Sequence, residues 1–355
     1  MAASTLDFEL PPAREATMPP EARGIPRDHI RLLVAAPGVT AHTRFTRLAD
    51  HLEPGDLVVV NDSATLAAAI DARLDDGSQV TVHLSGPLAT DCIDDVIWVV
   101  ELRPGPRAPG PVTDAVAGED LTLPAGGRIT LLGSYPDGAR TSSRLWAAQI
   151  EDVGDDLTSY LAEHGRPISY SYVDRPWPLD DYQTVFARRP GSAEMPSAGR
   201  PFTTRIVTDL VAKGIAVAPI TLHAGVSSPE TGEPPIPERY DVPPPTADLV
   251  NLTRRRGRRV VAVGTTVTRA LETVTDEDGV VHAGDGVTDL VLGRDRPARA
   301  VTGLVTGWHA PGASHLFLLE AVAGADLVQA AYDAALAHGY LWHEFGDSCL
   351  LLPRA

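Results

Sequence analysis

Residues 258–272, Arg-Arg-Val-Val-Ala-Val-Gly-Thr-Thr-Val-Thr-Arg-Ala-Leu-Glu, most constrain how this chain can fold. The unbroken apolar run at 260–263 predicts a strand buried on both faces. Gly264 permits a sharp turn, Thr265 and Thr266 are good helix N-cap residues, and a helix is predicted from Val267 onward. This order places unpaired N–H groups at the end of a sheet, where they suit a carboxylate or a phosphate. An ordinary strand-to-helix connection has the same pattern, so both interpretations stay open.

The remaining signals predict an α/β (α+β) main domain. Residues 57–60 are a second buried strand, and residues 215–222 are a third that follows an amphipathic helix at 203–213. A helix at 247–256 leads into the strand at 260–263, and this order favours a parallel pair joined by a crossover. The other predicted elements are strands at 6–10, 31–34, 287–292, 300–305 and 348–352, a helical turn at 45–52, and helices at 156–164 and 315–338.

The sequence pattern changes between residues 67 and 149. Short strand-like runs alternate with turn signals such as Asp75-Asp76-Gly77, and no convincing helix lies among them. This pattern predicts an inserted all-β, barrel-like domain at 67–149, so that residues 1–66 and 150–355 form the main domain. Its predicted strands are 80–84, 96–102, 128–132 and 145–150.

Composition narrows the function classes. The chain has 355 residues and a net charge of −17, which disfavours a general nucleic-acid binder but leaves room for one local basic cleft. Cys92 and Cys349 are the only cysteines, too few for a structural zinc site or a disulfide framework. With no secretory signal and no membrane-spanning run in the sequence, we expect a cytoplasmic protein. We also expect a monomer or a small homo-oligomer.

Several polar residues stand at the ends of predicted strands and loops. His223 and His309 can serve as general bases near neutral pH, although a structural histidine fits the same pattern. Asp62 follows a buried strand and suits either acid–base chemistry or a turn cap. The chain has no Walker A loop, GxSxG elbow, HExxH or GxGxxG after a strand, which argues against the common NTPases, hydrolases, zinc proteases and Rossmann dehydrogenases.

The densest basic run lies at residues 254–259, Arg-Arg-Arg-Gly-Arg-Arg. Arginines at the end of a helix interact favourably with its dipole, so a solvated helix terminus is the simpler interpretation. Contact with RNA phosphates is the alternative.

The polar clusters fall into an order and spacing that are specific as a set. The chain resembles the S-adenosylmethionine:tRNA ribosyltransferase-isomerases of queuosine biosynthesis over nearly its full length. The matching pieces are Leu6-Asp7-Phe8-Glu9-Leu10-Pro11, Arg27-Asp28, Arg31-Leu32-Leu33-Val34, Pro54-Gly55-Asp56-Leu57, Asn61-Asp62, Tyr182-Gln183-Thr184-Val185-Phe186-Ala187, Pro196-Ser197-Ala198-Gly199, Thr221-Leu222-His223, Ala262-Val263-Gly264-Thr265-Thr266, Arg269, Leu271-Glu272, Trp308-His309-Ala310-Pro311 and Phe345-Gly346-Asp347.

The resemblance implies an α/β main domain with an inserted β-barrel. It also implies transfer of the ribosyl part of S-adenosylmethionine to an aminomethyl-deazaguanine base of tRNA, rearrangement to an epoxycyclopentanediol, and release of adenine and methionine without a metal. A sulfonium acidifies the adjacent C5′ hydrogens, so a modest base is sufficient. On this basis the catalytic candidates are His223, His309 and Asp62, and the substrate-binding candidates are Asn61, Tyr182, Gln183, Ser197, Gly199, Gly264, Thr265, Thr266, Arg269 and Asp347.

The chain also departs from the family pattern. Positions where the family has Arg, Lys or His are occupied here by Ala64, Asp181, Pro201, Gly312 and Leu341. Such cations are the residue types that contact RNA phosphates, so we expect this chain to bind tRNA poorly or not at all. Two alternatives follow: a divergent enzyme that uses S-adenosylmethionine on a small-molecule or nucleoside acceptor, and a non-catalytic protein that binds S-adenosylmethionine or a nucleoside.

Overall fold

The computed structural model describes residues 6–88, 97–136, 144–226 and 235–353. Cys92 and residue 96 of one predicted strand lie outside these ranges. The strands are β1 (Arg31–Ala36), β2 (Val39–Arg44), β3 (Leu57–Asn61), β4 (Ser63–Thr65), β5 (Ala69–Leu74), β6 (Gln79–Pro87), β7 (Ile97–Arg103), β8 (Asp120–Thr122), β9 (Arg128–Ser134), β10 (Leu145–Glu151), β11 (Arg189–Ser192), β12 (Ala216–Leu222), β13 (Glu238–Val242), β14 (Val260–Val263), β15 (Gly284–Thr288), β16 (Gly303–Thr306) and β17 (Ser348–Leu351). The α-helices are α1 (Leu157–His164), α2 (Thr204–Ala212), α3 (Pro244–Arg255), α4 (Thr265–Thr273), α5 (His315–Ala323) and α6 (Ala325–Ala337).

The main domain is built on a nine-stranded mixed sheet in the order β15-β13-β12-β3-β14-β16-β17-β1-β2. In its centre β3 pairs in parallel with both β12 and β14, and β14 pairs in parallel with β16. These four strands therefore end at the same edge. β17 runs antiparallel to β16, and β1 runs parallel to β17, so both begin at that edge.

Alternating side chains of the central strands bury both faces of this sheet. Leu57 and Val59 pack into the core beneath α3 to α6, whereas Val58 and Val60 pack into the core beneath α2 and the 3-10 helix Phe45–His51. A strand covered on both sides needs an unbroken apolar sequence, which explains the runs at 57–60 and 260–263. In the described ranges no helix is long and apolar enough to cross a membrane.

Strands β5 to β10 close into a six-stranded barrel in the order β10-β7-β6-β5-β8-β9. The prediction of an α/β fold with an inserted all-β barrel is confirmed, while the boundaries at 67 and 149 remain a prediction. The barrel encloses a charged cluster in which the carboxylate of Glu101 lies 2.7 Å from both Arg103 Nε and Arg144 Nη1. Burial opposes ionisation of Glu101, but hydrogen bonds from His83 and Arg103 and the charges of Arg103 and Arg144 lower its pKa to about 2.

Three local predictions were wrong. Residues 6–10 form no strand, because Leu6, Phe8 and Leu10 pack as an extended segment against the helical face of the core instead of pairing with a sheet edge. The sequence indicates a long loop for the proline-rich stretch at 226–245, but this stretch contains β13, since residues 238–242 pair with both β12 and β15. Predicted strand 287–292 is shifted, because β15 already ends at Thr288.

Helix α4 begins two residues earlier than its sequence suggested. Gly264, with φ +94 and ψ 161, is the N-cap, and Thr265 is already helical. Thr265 and Thr266 are therefore not N-caps. Only a glycine readily adopts the backbone conformation of residue 264, so the turn is completed before the threonines are reached.

Candidate active site

The predicted site residues meet at the edge where the central parallel strands end. His223 follows β12, Asn61 closes β3, Gly264 follows β14, and His309 lies three residues beyond β16. Asp347 directly precedes β17, which begins at the same edge. Ligand sites of open α/β sheets lie at the carboxyl ends of the strands, so the topology gathers residues from distant parts of the sequence into one site.

The turn at Gly264 presents the start of α4 to this edge. A Cβ at residue 264 would lie 3.3 Å from the Cβ of Ala198, which brings the Ser197–Gly199 turn against it. The backbone N–H groups of Thr265, Thr266 and Val267 donate to no carbonyl or side chain in the described structure. Both threonines are half-buried. Free N–H groups at a helix start suit an anion.

Asn61 connects three of the strand ends. Its Nδ2 donates to the carbonyl of Leu222 at 2.8 Å and lies 3.4 Å from Thr266 Oγ1, while its Oδ1 accepts from the N–H groups of Leu222 and Ser63 at 3.0 Å each. The side chain is buried and all of its strong hydrogen bonds are internal. Asn61 therefore fixes the geometry between β3, β12 and α4.

Asp62 lies beside a cation at the rim of the site. Its Oδ1 accepts a hydrogen bond from Thr221 Oγ1 at 2.6 Å, and its Oδ2 is 3.8 Å from Nε of Arg189. Arg189 also pairs with Asp241 at 2.5 Å and is exposed, as is the neighbouring Arg188. Thr221 and Arg189 thus fix the position of the Asp62 side chain.

His223 lies in a polar chain of its own. Its Nδ1 is 2.7 Å from Ser63 Oγ, which is in turn 2.7 Å from Ser192 Oγ. A Cβ at Gly191 would lie 2.4 Å from the same Nδ1, so only glycine leaves room for the imidazole. Burial, with the charges of Arg239 and Arg189, lowers the pKa of His223 to about 4. The ring is therefore neutral at pH 7.

The His223 ring also forms part of the wall of a cavity between the barrel and the main sheet. The cavity contains about 580 Å³ of empty space, and its lining includes Ser85 and Tyr135 from the barrel and Arg239 from the main sheet.

His309 lies at the same edge of the sheet. Its Nε2 lies 3.1 Å from Thr306 Oγ1, and its ring stacks in parallel on His315 with centroids 4.6 Å apart. Burial, followed by the neighbouring His315 and His343, lowers the pKa of His309 well below its ordinary value. Both stacked rings are neutral at pH 7, since burial and Arg269 lower the pKa of His315 to about 4.

A second cleft opens beside the Ser197–Gly199 turn. It has about 290 Å³ of empty space and is lined in part by Ser197, Arg200, Glu344 and Asp347. Asp347 is held by Arg31, whose Nη2 lies 2.8 Å from Oδ2 and whose backbone N–H donates to Oδ1 at 2.8 Å. The Asp347 carboxylate in the lining of this cleft is therefore already paired with a cation of the protein.

Tyr182, Gln183 and Gly199 pack around the second cleft without being part of its lining. The ring centroids of Tyr182 and Phe345 are 5.2 Å apart, and the buried hydroxyl of Tyr182 has no hydrogen-bond partner in the described structure. The backbone N–H of Thr65 donates to Oε1 of Gln183 at 3.0 Å, and Nε2 of Gln183 donates to the carbonyl of Thr65 at 2.8 Å. A Cβ at Gly199 would lie 3.3 Å from Thr184 Cγ2, so the turn packs closely on the segment that carries Tyr182.

Arg269 supports the site from behind. Its guanidinium is buried, donates to the carbonyls of Leu290, Ile236 and Thr288 at 2.9–3.0 Å, and pairs with Glu238 at 2.6 Å. Four hydrogen bonds leave this arginine little capacity for a ligand. The structure therefore gives Arg269 an anchoring position instead of the substrate contact that its sequence position suggested.

The chain is similar to known proteins over nearly its full length. The family model described as "Queuosine biosynthesis protein" matches residues 3–351. This chain belongs to the queuosine biosynthesis protein family. It is 37% identical to the S-adenosylmethionine:tRNA ribosyltransferase-isomerase of Moorella thermoacetica, with 98% of each chain covered, and 35% identical to that of Symbiobacterium thermophilum, with 99% and 100% covered.

A solved structure of the queuosine biosynthesis family has the same overall fold. The crystal structure of S-adenosylmethionine tRNA ribosyltransferase from Thermotoga maritima superposes with a TM-score of 0.52 at 29% identity, covering 98% of this chain and 99% of that one. The α/β main sheet and the inserted barrel are thus features that this chain shares with the family.

One departure from the family pattern is offset in space. Asp181 stands where the family has an arginine, yet Arg200 brings a guanidinium to the same place. Its Nε donates to the carbonyl of Asp181 at 2.9 Å, and its Nη2 lies 3.7 Å from the Asp181 carboxylate and 2.9 Å from Glu21. A cation therefore borders this cleft from a different position in the sequence.

Sequence reasoning missed several residues of the site. Ser192, Arg200, His315 and Glu344 were not among the candidates, although each contacts or lines the site. Glu344 offered a signal, because it directly precedes the Phe345-Gly346-Asp347 motif. Ser192 offered none, since its contact with Ser63 spans 129 residues of sequence.

The basic run at 254–259 lies at the opposite edge of the sheet. It joins the end of α3 to the start of β14, whereas the site lies beyond the end of β14, roughly 13 Å away at 3.3 Å per residue. Arg258 pairs with Glu53 and Arg259 with Asp56, both at 2.7 Å. These two arginines are engaged within the protein, on the side away from the site.

Proposed function

We propose that this chain is an S-adenosylmethionine:tRNA ribosyltransferase-isomerase that acts in the cytoplasm, with S-adenosylmethionine as co-substrate and no role for a metal. The observation that carries the proposal is the convergence of the Gly264 turn, His223 and His309 at one sheet edge, in a chain of this family. Relatives that share 35–37% identity over almost the whole chain have this activity in their names.

Each candidate residue has a role that its surroundings support. The free N–H groups at the start of α4, with the hydroxyls of Thr265 and Thr266, would bind the carboxylate of the amino-acid part of S-adenosylmethionine. In this scheme the nucleoside would bind at the cavity that His223 lines. The neutral imidazole of His223 would then lie beside the ribose and accept a proton during the reaction. In this scheme Asn61, Gln183 and Asp347 position the surrounding backbone.

His309 is the second candidate base. Its low pKa leaves it unprotonated, but its stacking on His315 and its bond to Thr306 make it less free to turn toward a substrate. Asp62 lies at the rim, with its Oδ2 3.8 Å from Nε of Arg189. We therefore assign the proton-accepting role first to His223, then to His309 and then to Asp62.

The acceptor has two candidates. A tRNA base is favoured by the names of the relatives and by the exposed Arg188 and Arg189 beside Asp62. A small amine or nucleoside is favoured by the absence of family cations at Ala64, Pro201 and Gly312. In both cases the first half of the reaction takes place at the same sheet edge.

Mass spectrometry of the products distinguishes these functions. The protein is incubated with S-adenosylmethionine alone, with tRNA carrying the aminomethyl-deazaguanine base, and with that base free in solution. Adenine and methionine released only with the modified tRNA support the tRNA enzyme, and release with the free base supports the small-molecule enzyme. S-adenosylmethionine that is bound but recovered intact under all three conditions would establish a non-catalytic binding protein.

A further inference from the structure

Glu344 is a carboxylate of the second cleft that has no cation of its own. Its Oε2 accepts a hydrogen bond from the hydroxyl of Tyr172 at 2.5 Å, and its Oε1 bonds to no other residue of the described structure. Within the described residues no Arg, Lys or His nitrogen lies within 4.0 Å of it. Glu101 in the barrel, by contrast, has two arginines at 2.7 Å. A partly buried carboxylate without a counter-charge is costly unless a ligand supplies one.

The loop that carries Glu344 is rigid. His343 has φ +71, a left-handed conformation that is rare for a residue other than glycine. A Cβ at Gly346 would lie 2.4 Å from the carbonyl of Leu341, and Asp347 bonds Leu341 through its N–H at 2.8 Å and through its Oδ2 at 2.9 Å. Strained backbone that the surroundings hold in place is typical of functional sites, and here it fixes the carboxylate at the cleft.

The groups around Glu344 determine when it is charged. Burial raises the pKa of Glu344 to about 7. The hydrogen bonds from Tyr172 and from its own backbone N–H lower this pKa, the charge of Glu194 raises it and that of Arg200 lowers it. Tyr182 and His343 are close to Glu344, and Arg27, Arg200 and Asp347 line the same cleft. Burial raises the pKa of Tyr172 and Tyr182, so neither ionises near neutral pH, and burial lowers the pKa of His343. Above pH 7 the cleft therefore carries a negative charge at Glu344.

We propose that Glu344 binds a cationic primary amine of the substrate in the second cleft. The inference rests on the proposed function, which supplies two such amines: the α-ammonium of S-adenosylmethionine and the aminomethyl group of the acceptor base. The carboxylate accepts hydrogen bonds from Tyr172 and from its own backbone N–H, and its remaining lone pairs can accept one from the ammonium. A charge-assisted hydrogen bond of this kind is stronger than a neutral one, so its loss is measurable.

The test is Glu344→Gln, which keeps the shape of the side chain and removes its charge. Titration calorimetry at pH 8 measures the affinities of wild type and variant for S-adenosylmethionine and for the free aminomethyl-deazaguanine base. We expect one of the two affinities to fall roughly tenfold or more, and the ligand that loses affinity identifies the amine that Glu344 binds. Equal affinities of wild type and variant for both ligands would overturn the inference.

Glu163→Gln is the control. Glu163 is an exposed glutamate of α1 and is not part of the lining of the cleft. This variant should keep both affinities within about twofold of wild type. Thermal unfolding of the three proteins identifies any loss of affinity that results from partial unfolding.

The pH dependence separates amine binding from a structural role. Because Glu344 ionises near pH 7, the affinity of wild type for the amine ligand should rise from pH 6 to pH 8, and the Gln variant should lack this rise. A rise of equal size in both proteins would contradict the inference. Wild type that binds S-adenosylmethionine but never releases adenine would overturn the proposed function and leave the Glu344 comparison intact. Wild type that binds neither ligand would contradict both.

Discussion

The two edges of the central sheet use polar residues in opposite ways. At the edge where β14 begins, Asp56 accepts hydrogen bonds from the backbone N–H of Arg259 at 3.0 Å and from its Nε at 2.9 Å, and Glu53 pairs with Arg258. At the edge where β14 ends, the N–H groups at the start of α4 have no partner in the described structure, and His223 is neutral. Satisfied groups stabilise the fold, whereas unsatisfied ones at a cleft are available to a ligand.

This contrast also shows why charge density alone is a poor guide to a site. The run at 254–259 is the densest group of cations in the sequence. Its last two arginines, however, form ion pairs at the edge of the sheet that lies away from the site. Arg188 and Arg189 are fewer but border the site beside Asp62. The position of a cation in the topology therefore decides whether it can contact a substrate.

The largest effect is expected from His223→Gln. Gln can replace the hydrogen bond to Ser63 but cannot accept a proton, so turnover should fall roughly a hundredfold or more. Adenine release under saturating S-adenosylmethionine measures the change. His282→Gln, at a surface pair with Asp276 far along the chain, is the matched control and should keep the wild-type rate. If His223→Gln turns over normally, His309→Gln is the next variant to measure.

A smaller effect is expected when arginines are removed on the site side. Arg188→Ala with Arg189→Ala should weaken binding of the modified tRNA roughly fivefold to tenfold and make the slope of log affinity against log salt shallower by about 2. The triple alanine variant of Arg254, Arg255 and Arg256 should bind as wild type does. Electrophoretic shifts across a salt series measure both. Loss of binding only in the triple variant would reverse the assignment of the two edges.

A still smaller loss of affinity is expected from substitutions at the start of α4. Thr265→Val with Thr266→Val removes two hydroxyls and keeps the helical N–H groups, so affinity for S-adenosylmethionine should fall by about 1 kcal/mol or more, roughly fivefold. Calorimetric titration of the folded double variant provides the value. An unchanged affinity would place the anionic part of the ligand elsewhere.

The smallest effect on ligand binding is expected from a substitution at the edge of the sheet where β14 begins. Asp56→Ala leaves the partly buried Arg259 unpaired and should lower the free energy of unfolding by about 3 kcal/mol. The protein that stays folded should nevertheless bind S-adenosylmethionine within about twofold of wild type. Urea unfolding and calorimetry below the transition test the two parts. A tenfold loss of affinity would show that the two edges are coupled.

The sequence predicted the parts of this molecule that local pattern controls. Buried runs such as 57–60 and 260–263 have a single consistent interpretation, and Asp156 caps α1 as its position suggested, with Oδ1 accepting from Ser159 N–H at 2.7 Å. Residues 6–10 alternate like a strand, but alternation also fits an extended segment packed on helices. β13 was missed because its residues are polar and become a strand only through pairing on both sides.

The site was predictable in its members more than in their roles. Motifs at strand ends gave His223, Asn61 and Gly264, because parallel strands bring their carboxyl ends together. The sequence could not distinguish a ligand contact from an anchor, so Arg269 was placed in the site although its guanidinium is taken up by three carbonyls and Glu238. It also could not show that Glu344 lacks a counter-charge, which depends on residues far away in the chain.

Hydrogen–deuterium exchange with and without S-adenosylmethionine tests the central claim most directly, because it reports both edges in one experiment. The account predicts slower exchange on ligand binding in peptides that contain residues 61–66 and 264–270, where the N–H groups of Thr265 and Thr266 gain a partner. Peptides covering 53–57 and 254–259 should exchange as they do without ligand. Protection confined to the second pair of peptides would contradict the account.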